Sequence, residues 1–241
     1  MTDETYGIFR EWDFDKTREE NLTLARENNT SGAPSSRQLL EVSKVINRRY
    51  DPNGADRALV EMAKRKVPLE VWRPIQLWHM TRQEFLLRDF LTDWLSKEHE
   101  SGAFKIRSGD LREYLEGLHE RGLVEAPWSE GTIKKIATSL LKSAVHFELM
   151  TGSVAREFVS YHLPEQAFLY LLHALFEVYG NGGEVVRAAD WRLYLMTQQQ
   201  VESELLRLHQ FRKLRYEVAG SLVELALPYE SAAAYAQEME W

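Results

Sequence analysis

Three observations predict a mainly α-helical fold: an N-terminal helical unit followed by two tandem winged-helix-like modules, each a helix-turn-helix plus a β-hairpin. Apolar residues recur at helical spacing from Ser35 onward. From Thr81 the segments follow the order helix, strand, helix, helix, hairpin, and the order returns from Glu165. The chain thus divides into a polar acidic arm or linker over 1–34, the helical unit over 35–80, a first module over 81–164 and a second over 165–241.

The arm ends in Asn28-Asn29-Thr30-Ser31-Gly32-Ala33-Pro34, a turn-rich stretch. Ser35-Ser36 cap a helix carrying Leu39, Leu40, Val42, Val45 and Ile46, which stops near Asp51-Pro52-Asn53-Gly54. Ala55 to Lys66 forms a second helix, ended by Pro68. Thr81 opens a longer helix with Phe85, Leu86, Phe90, Trp94 and Leu95 on its apolar stripe, which reads as core.

In the first module Ala103–Ile106 is strand-like, Ser108 caps a helix to Glu120, Ser129 caps a longer helix to Met150, and 156–163 is strand-like again. In the second, a helix over 165–179 stops at Gly180, Glu184-Val185-Val186 reads as a strand, Ala188–Met196 as a short helix, and Thr197 caps a helix to about Leu214. Residues 215–225 alternate around a Gly220-Ser221 turn, as a hairpin does. Arg107, Asp110, Arg112, Tyr114 and Leu115 match Arg187, Asp190, Arg192, Tyr194 and Leu195 at a constant offset of 80, which reads as an internal duplication. Asp110 and Asp190 fall where a first helical turn favours a carboxylate, and Arg107 and Arg187 are positioned to pair with acids of the preceding helix.

Composition narrows the chemistry. The 241 residues include no cysteine, which removes disulfides, thiolate nucleophiles and Cys-ligated metals. Gly-rich phosphate loops, His-Glu-x-x-His and Gly-x-Ser-x-Gly are missing from the sequence, so it reads as non-enzymatic and calls for no cofactor. Asp89, Asp93 and Glu98-His99-Glu100 read as solvent-facing charge rather than metal ligands. The N-terminus lacks the order of a signal peptide, and the longest uncharged stretch, Gln166–Phe176, is too short to span a bilayer. A cytoplasmic chain with no membrane partner is expected.

Thirty Lys and Arg stand against 37 Asp and Glu, a net charge of -7, so any nucleic-acid surface must be local. The helix after Ser129 buries Ile133, Ile136, Ala137, Leu140, Leu141, Ala144 and Val145, leaving Thr132, Lys134, Lys135, Thr138, Ser139 and Lys142 for solvent. That face suits phosphate contact, with Arg156 added from the hairpin. A merely solvated helix face is the competing reading. In the second module Gln198 and Gln199 open the corresponding helix, with Arg207, Arg212, Lys213 and Arg215 after them. Glu202 and Glu204 on the same helix repel phosphate, so this cluster suits an acidic protein partner equally well.

Several segments, taken in order, carry a family resemblance: 88–95 (RDFLTDWL), Ile106-Arg107, Trp128-Ser129-Glu130, 163–172 (LPEQAFLYLL) and Ala219-Gly220-Ser221. Over about residues 35–238 the chain resembles the BrxA family of BREX bacteriophage-exclusion systems. The resemblance implies a helical, non-enzymatic component that binds double-stranded DNA and works beside other BREX proteins, a methyltransferase among them. It assigns no DNA-contacting residues. Competing expectations are a protein scaffold of the defence complex and, behind it, RNA binding.

Overall fold

A computed structural model describes residues 2–33, 35–220 and 222–240. Pro34, at the end of the expected linker, and Ser221, in the expected hairpin turn, lie outside the described residues. Five helices come first: α1 (Thr2–Arg10), α2 (Arg18–Asn28), α3 (Ser36–Arg49), α4 (Arg57–Lys64) and α5 (Leu69–Thr81). Next come α6 (Phe85–Asp89), a π-helical turn over Phe90–Leu95, α7 (Ser96–Glu100), β1 (Lys105–Arg107), α8 (Arg112–Glu120), α9 (Glu130–His146), β2 (Met150–Gly152) and β3 (Ala155–Phe158). The last stretch holds α10 (Glu165–Tyr179), α11 (Gly182–Arg187), a 3-10 helix over Ala189–Tyr194, α12 (Gln198–Gln210), β4 (Arg215–Ala219), β5 (Leu222–Ala226) and α13 (Ala232–Glu238). The fold is mainly helical with small antiparallel sheets.

Contacts gather these elements into two units: Met1–Glu84 with Leu163–Ala188 and Thr197–Trp241, and Phe85–His162 with Ala189–Met196.

In the first unit the expected polar arm is replaced by two packed helices. Ile8, Phe9 and Trp12 are buried, α1 packs on α4, and α2 packs on α3. The signal lay in Thr17-x-x-Glu20, a capping box that starts α2 by satisfying donors at both ends of the turn. A further helix, α5, carries Pro74 within it. Its faces are nevertheless buried nearly all round, and Trp72 Nε1 donates to the Leu59 carbonyl at 2.9 Å. His79 on α5 is the centre of a buried chain. Its Nδ1 meets Asp56 at 2.5 Å and its Nε2 meets the Tyr170 hydroxyl at 2.8 Å, while Arg82 also bonds Asp56. Asp56, whose other oxygen accepts from the Asp51 amide, thereby joins the start of α4 to α5 and α10.

The strand expected at Glu184–Val186 is the helix α11. Asn181 accepts from the Glu184 amide at 2.9 Å, an N-cap that outweighs two β-branched residues in a row. Gly180, at φ 74°, ends α10, and Gly182 brings α11 so close to β5 that a Cβ there would lie 2.8 Å from that of Leu225. The hairpin β4–β5 forms as expected, with Tyr216 opposite Leu225 on the buried side.

The second unit follows the order helix, strand, helix, helix, hairpin. Its leading helix begins at Phe85 rather than Thr81, since Thr81 closes α5. Strands β1, β3 and β2 form an antiparallel sheet in that order, Ile106 and Gly152 flanking Arg156. Ser108 caps nothing: the Asp110 carboxylate accepts from the Arg107 amide at 2.7 Å, and α8 begins only at Arg112.

The matched residues of the two modules occupy different structures. Ile106-Arg107 lie in a strand and Val186-Arg187 in a helix. Asp110 is exposed, whereas Asp190 is buried at 4% exposure and receives both Arg88 terminal nitrogens at 3.0 and 2.8 Å. Arg187 pairs with Glu184 of its own helix, not with an acid of the preceding one. Sequence identity at these positions therefore does not amount to a structural repeat.

Candidate nucleic-acid interface

The second unit builds its exposed basic face on α9. Ser129 starts the helix by accepting from the Thr132 amide at 3.3 Å, and its hydroxyl lies 3.0 Å from that of Thr132. Ile133, Ala137, Leu140, Leu141 and Ala144 are buried, Ile136 and Val145 half-buried, so the helix is fixed in rotation by one apolar stripe. That rotation leaves Lys134, Lys135, Ser139 and Lys142 exposed, with Thr132 and Thr138 half-buried beside them. Thr138 Oγ1 donates back to the Lys134 carbonyl at 2.8 Å, so its hydroxyl is already engaged. The three lysines form no ion pair among the described residues. Arg112 draws off Glu130, the acid at the start of the helix, at 3.5 Å.

Acidity in this unit is concentrated elsewhere. A cleft of about 650 Å³ is lined by Glu98, Asp110, Glu113, Glu116 and Glu120 together with Trp94 and Tyr114. Asp89 accepts from the Tyr114 hydroxyl at 2.7 Å and from Arg121 at 2.9 Å, and Asp93 pairs with Lys97 at 2.6 Å. Negative charge of this unit is thus gathered at the cleft, and unpaired positive charge on α9.

Arg156 does not join the α9 face. It lies on the central strand at 4% exposure, and its Nε has no hydrogen-bond partner. Burial lowers its pKa, with no carboxylate near enough to raise it again.

The second module's candidates lie in the other unit and are spoken for. Thr197 and Gln200 make a capping box at the start of α12. Gln198 donates to Glu202 at 2.7 Å, which leaves exposed Gln199 as the glutamine outside these bonds. Arg207 donates to Glu204 at 2.6 Å and to Glu165 at 2.7 Å, and these bonds raise its pKa. Lys213 also bonds Glu165. Burial would raise the Glu165 carboxyl, but the hydrogen bonds from Lys213 and Arg207 bring it below its ordinary value. Arg215 pairs with Glu217 at 3.0 Å and Glu224 at 3.4 Å across the outer face of the β4–β5 hairpin. Arg212, exposed and at φ 57°, is the member of the cluster without a carboxylate partner among the described residues.

A family model described as BrxA matches residues 1–174. The chain belongs to the BrxA family. The match takes in the first 34 residues, which the packing of α1 and α2 makes part of the folded body, and covers all of α9 and its hairpin. No curated protein and no solved structure matches the chain. Membership of BrxA places it among the components of BREX phage defence. No helix among the described residues is long and apolar enough to cross a membrane.

Proposed function

We propose that this BrxA-family chain is a non-enzymatic component of a BREX system that binds double-stranded DNA through the exposed face of α9. The elements from Phe85 to Phe158 act as a winged helix: α9 approaches the major groove, and the β2–β3 hairpin flanks it as the wing. The observation that carries this reading is the set Lys134, Lys135 and Lys142, three exposed cations on one helix face that no carboxylate of the described residues neutralises. Cations without an internal partner are those that exchange mobile counterions for phosphates, so binding is expected to be mainly electrostatic and weakly selective for sequence.

A second partner class fits the other module. Arg207 and Lys213 are already tied to Glu165, while Phe211 beside Arg207 is 65% exposed. A paired, partly apolar surface suits another BREX protein, such as a methyltransferase, better than phosphate. Anisotropy titration of a labelled duplex of about 30 base pairs over a salt series tests the DNA reading. Affinity falling with salt at about −0.9 per phosphate contact supports it, and absence of binding at low salt leaves protein docking as the function. Association with other BREX subunits that survives nuclease and high salt supports the second partner class.

A further inference from the structure

The cleft of about 650 Å³ in the second unit combines three features that its acidity does not explain. Trp94 of the π-helical turn and Tyr114 of α8 both line it, half-buried, with ring centres 5.9 Å apart, so aromatic surface borders the cavity. Glu98, Glu113 and Glu120 have no hydrogen-bond or ion-pair partner for their carboxylates among the described residues. Gly117 stands inside α8 without a packing reason, since its φ is not positive and a Cβ there would meet nothing within 4 Å. A glycine within a helix costs stability relative to alanine, and what this one leaves is open space in the cleft.

The rim of the cleft shows which cation such a place holds. Arg121 sets its guanidinium 5.5 Å from the centre of the Tyr114 ring and donates to Asp89 at 2.9 Å and to Asp93 at 3.3 Å. An aromatic ring beside carboxylates suits guanidinium better than ammonium, because guanidinium is planar and more weakly hydrated. Arg121 is satisfied by Asp89 and Asp93, which leaves Trp94 and the three unpaired glutamates to a cation from outside.

We propose that this cleft docks an arginine-bearing segment of a basic partner protein. One guanidinium enters beside Trp94 and Tyr114 over Gly117, and Glu98, Glu113 and Glu120 hold it and its charged neighbours. The sign of the charge excludes nucleic acid. Two copies of this chain, each with a net charge of -7, repel one another, whereas a basic chain is drawn in. The surface uses neither the α9 lysines nor the ion pairs around α12, so it adds a partner to the proposed function without resting on it.

Anisotropy titration of a labelled peptide of alternating glycine and arginine with the full chain, in the absence of DNA, tests the docking. The arginine peptide should bind about fivefold more tightly than its lysine counterpart. Glu113→Gln with Glu120→Gln should weaken binding about tenfold, and since neither carboxylate is paired the fold should be unaffected. Gly117→Leu places a better helix former in the open space, so it should weaken the peptide by a similar factor while Tm stays level or rises and duplex affinity is unchanged. Equal affinity for the arginine and lysine peptides, or full affinity in Gly117→Leu, means general attraction to an acidic protein and overturns the proposal. Hydrogen exchange of wild type supplies a readout that needs no variant: the peptide should slow exchange in α8, and protection centred on another element, or none, overturns the assignment. Self-association of wild type that Gly117→Leu abolishes gives the cleft to a second copy and likewise overturns the partner proposed. Loss of duplex binding in the α9 lysine variants bears on the DNA reading alone and leaves the peptide result standing.

Discussion

Helices α9 and α12 each follow a shorter helix and precede a hairpin, and each brings basic residues to a solvent-facing stretch. Their cations nevertheless stand in opposite circumstances. On α9 the lysines have no acidic neighbour to hold them, whereas around α12 Glu165, Glu204, Glu217 and Glu224 hold Arg207, Lys213 and Arg215. Exposed ion pairs add little to stability, about 0–1 kcal/mol each, but they decide which charges remain available to a phosphate. The candidate cations are Lys134, Lys135, Lys142 and Arg156 in the first module and Arg207, Arg212, Lys213 and Arg215 in the second, so it is pairing rather than number that separates the two helices.

The sharpest break between the modules should appear at the matched aspartates. Asp190 is buried and accepts from both terminal nitrogens of Arg88, so Asp190→Ala removes two charge-assisted hydrogen bonds and should cost about 2–3 kcal/mol in urea unfolding. Asp110 is exposed and accepts one backbone bond, so Asp110→Ala should cost about 1 kcal/mol or less. Equal losses would mean that the two copies are structurally equivalent after all.

Lys134→Glu, Lys135→Glu and Lys142→Glu together should weaken duplex binding about a hundredfold and lower the salt slope by about 3, with Tm unchanged. Arg207→Ala with Lys213→Ala should change the same affinity by less than about twofold. Similar losses from both sets would erase the contrast and make the second module a DNA surface as well.

How far the sequence disclosed this arrangement depended on the range of the signals. Helix-period patterns and caps are legible in the sequence: Ser35, Ser129 and Thr197 cap α3, α9 and α12, and the periodic apolar residues of α9 are buried or half-buried. Local composition is a poorer guide elsewhere. The polar surface of residues 1–34 concealed Phe9 and Trp12, Pro74 concealed α5, and Val185-Val186 suggested a strand that the Asn181 cap turns into a helix. The α9 lysines were legible because amphipathicity alone orients them. The engagement of Arg207 and Lys213 was not, because Glu165 lies more than 40 residues away in sequence. Neither was the fate of Arg156, since a strand of four residues shows no clear inward face in its pattern.

The units should also part in their response to acid. Both histidines buried below a tenth exposure, His79 and His173, belong to the first unit. Burial lowers the pKa of each; for His79 the hydrogen bond from its ring to Asp56 opposes the shift without reversing it. A depressed folded pKa means that the unfolded chain binds the proton first. The stability these groups supply is therefore whole above the ordinary histidine value of about 6.5 and declines as pH falls below it. Asp56, lowered despite its burial by the bonds from His79 and the Asp51 amide, adds a further loss below the ordinary carboxylate range. Hydrogen exchange between pH 7.5 and 5 should show α5 and α10 losing protection before α9. Loss that begins at α9 would contradict the assignment.

The smallest effect is the most pointed test of the charge argument, because it seeks to create binding rather than remove it. If carboxylates alone keep the second module from phosphate, then Glu165→Gln with Glu204→Gln should release Arg207 and Lys213 without moving the backbone. Glutamine keeps the size of the side chain and its carbonyl acceptor, so the helix contacts persist while two negative charges vanish. Duplex affinity at low salt should rise about threefold, with the salt slope steeper by about 1–2. A rise in affinity without a steeper slope would point to reduced long-range repulsion rather than new phosphate contacts. An unchanged affinity would mean that the shape of α12 and its acidic hairpin, where Glu217 and Glu224 remain, exclude the duplex independently of Glu165, and the module's partner would then be sought among proteins.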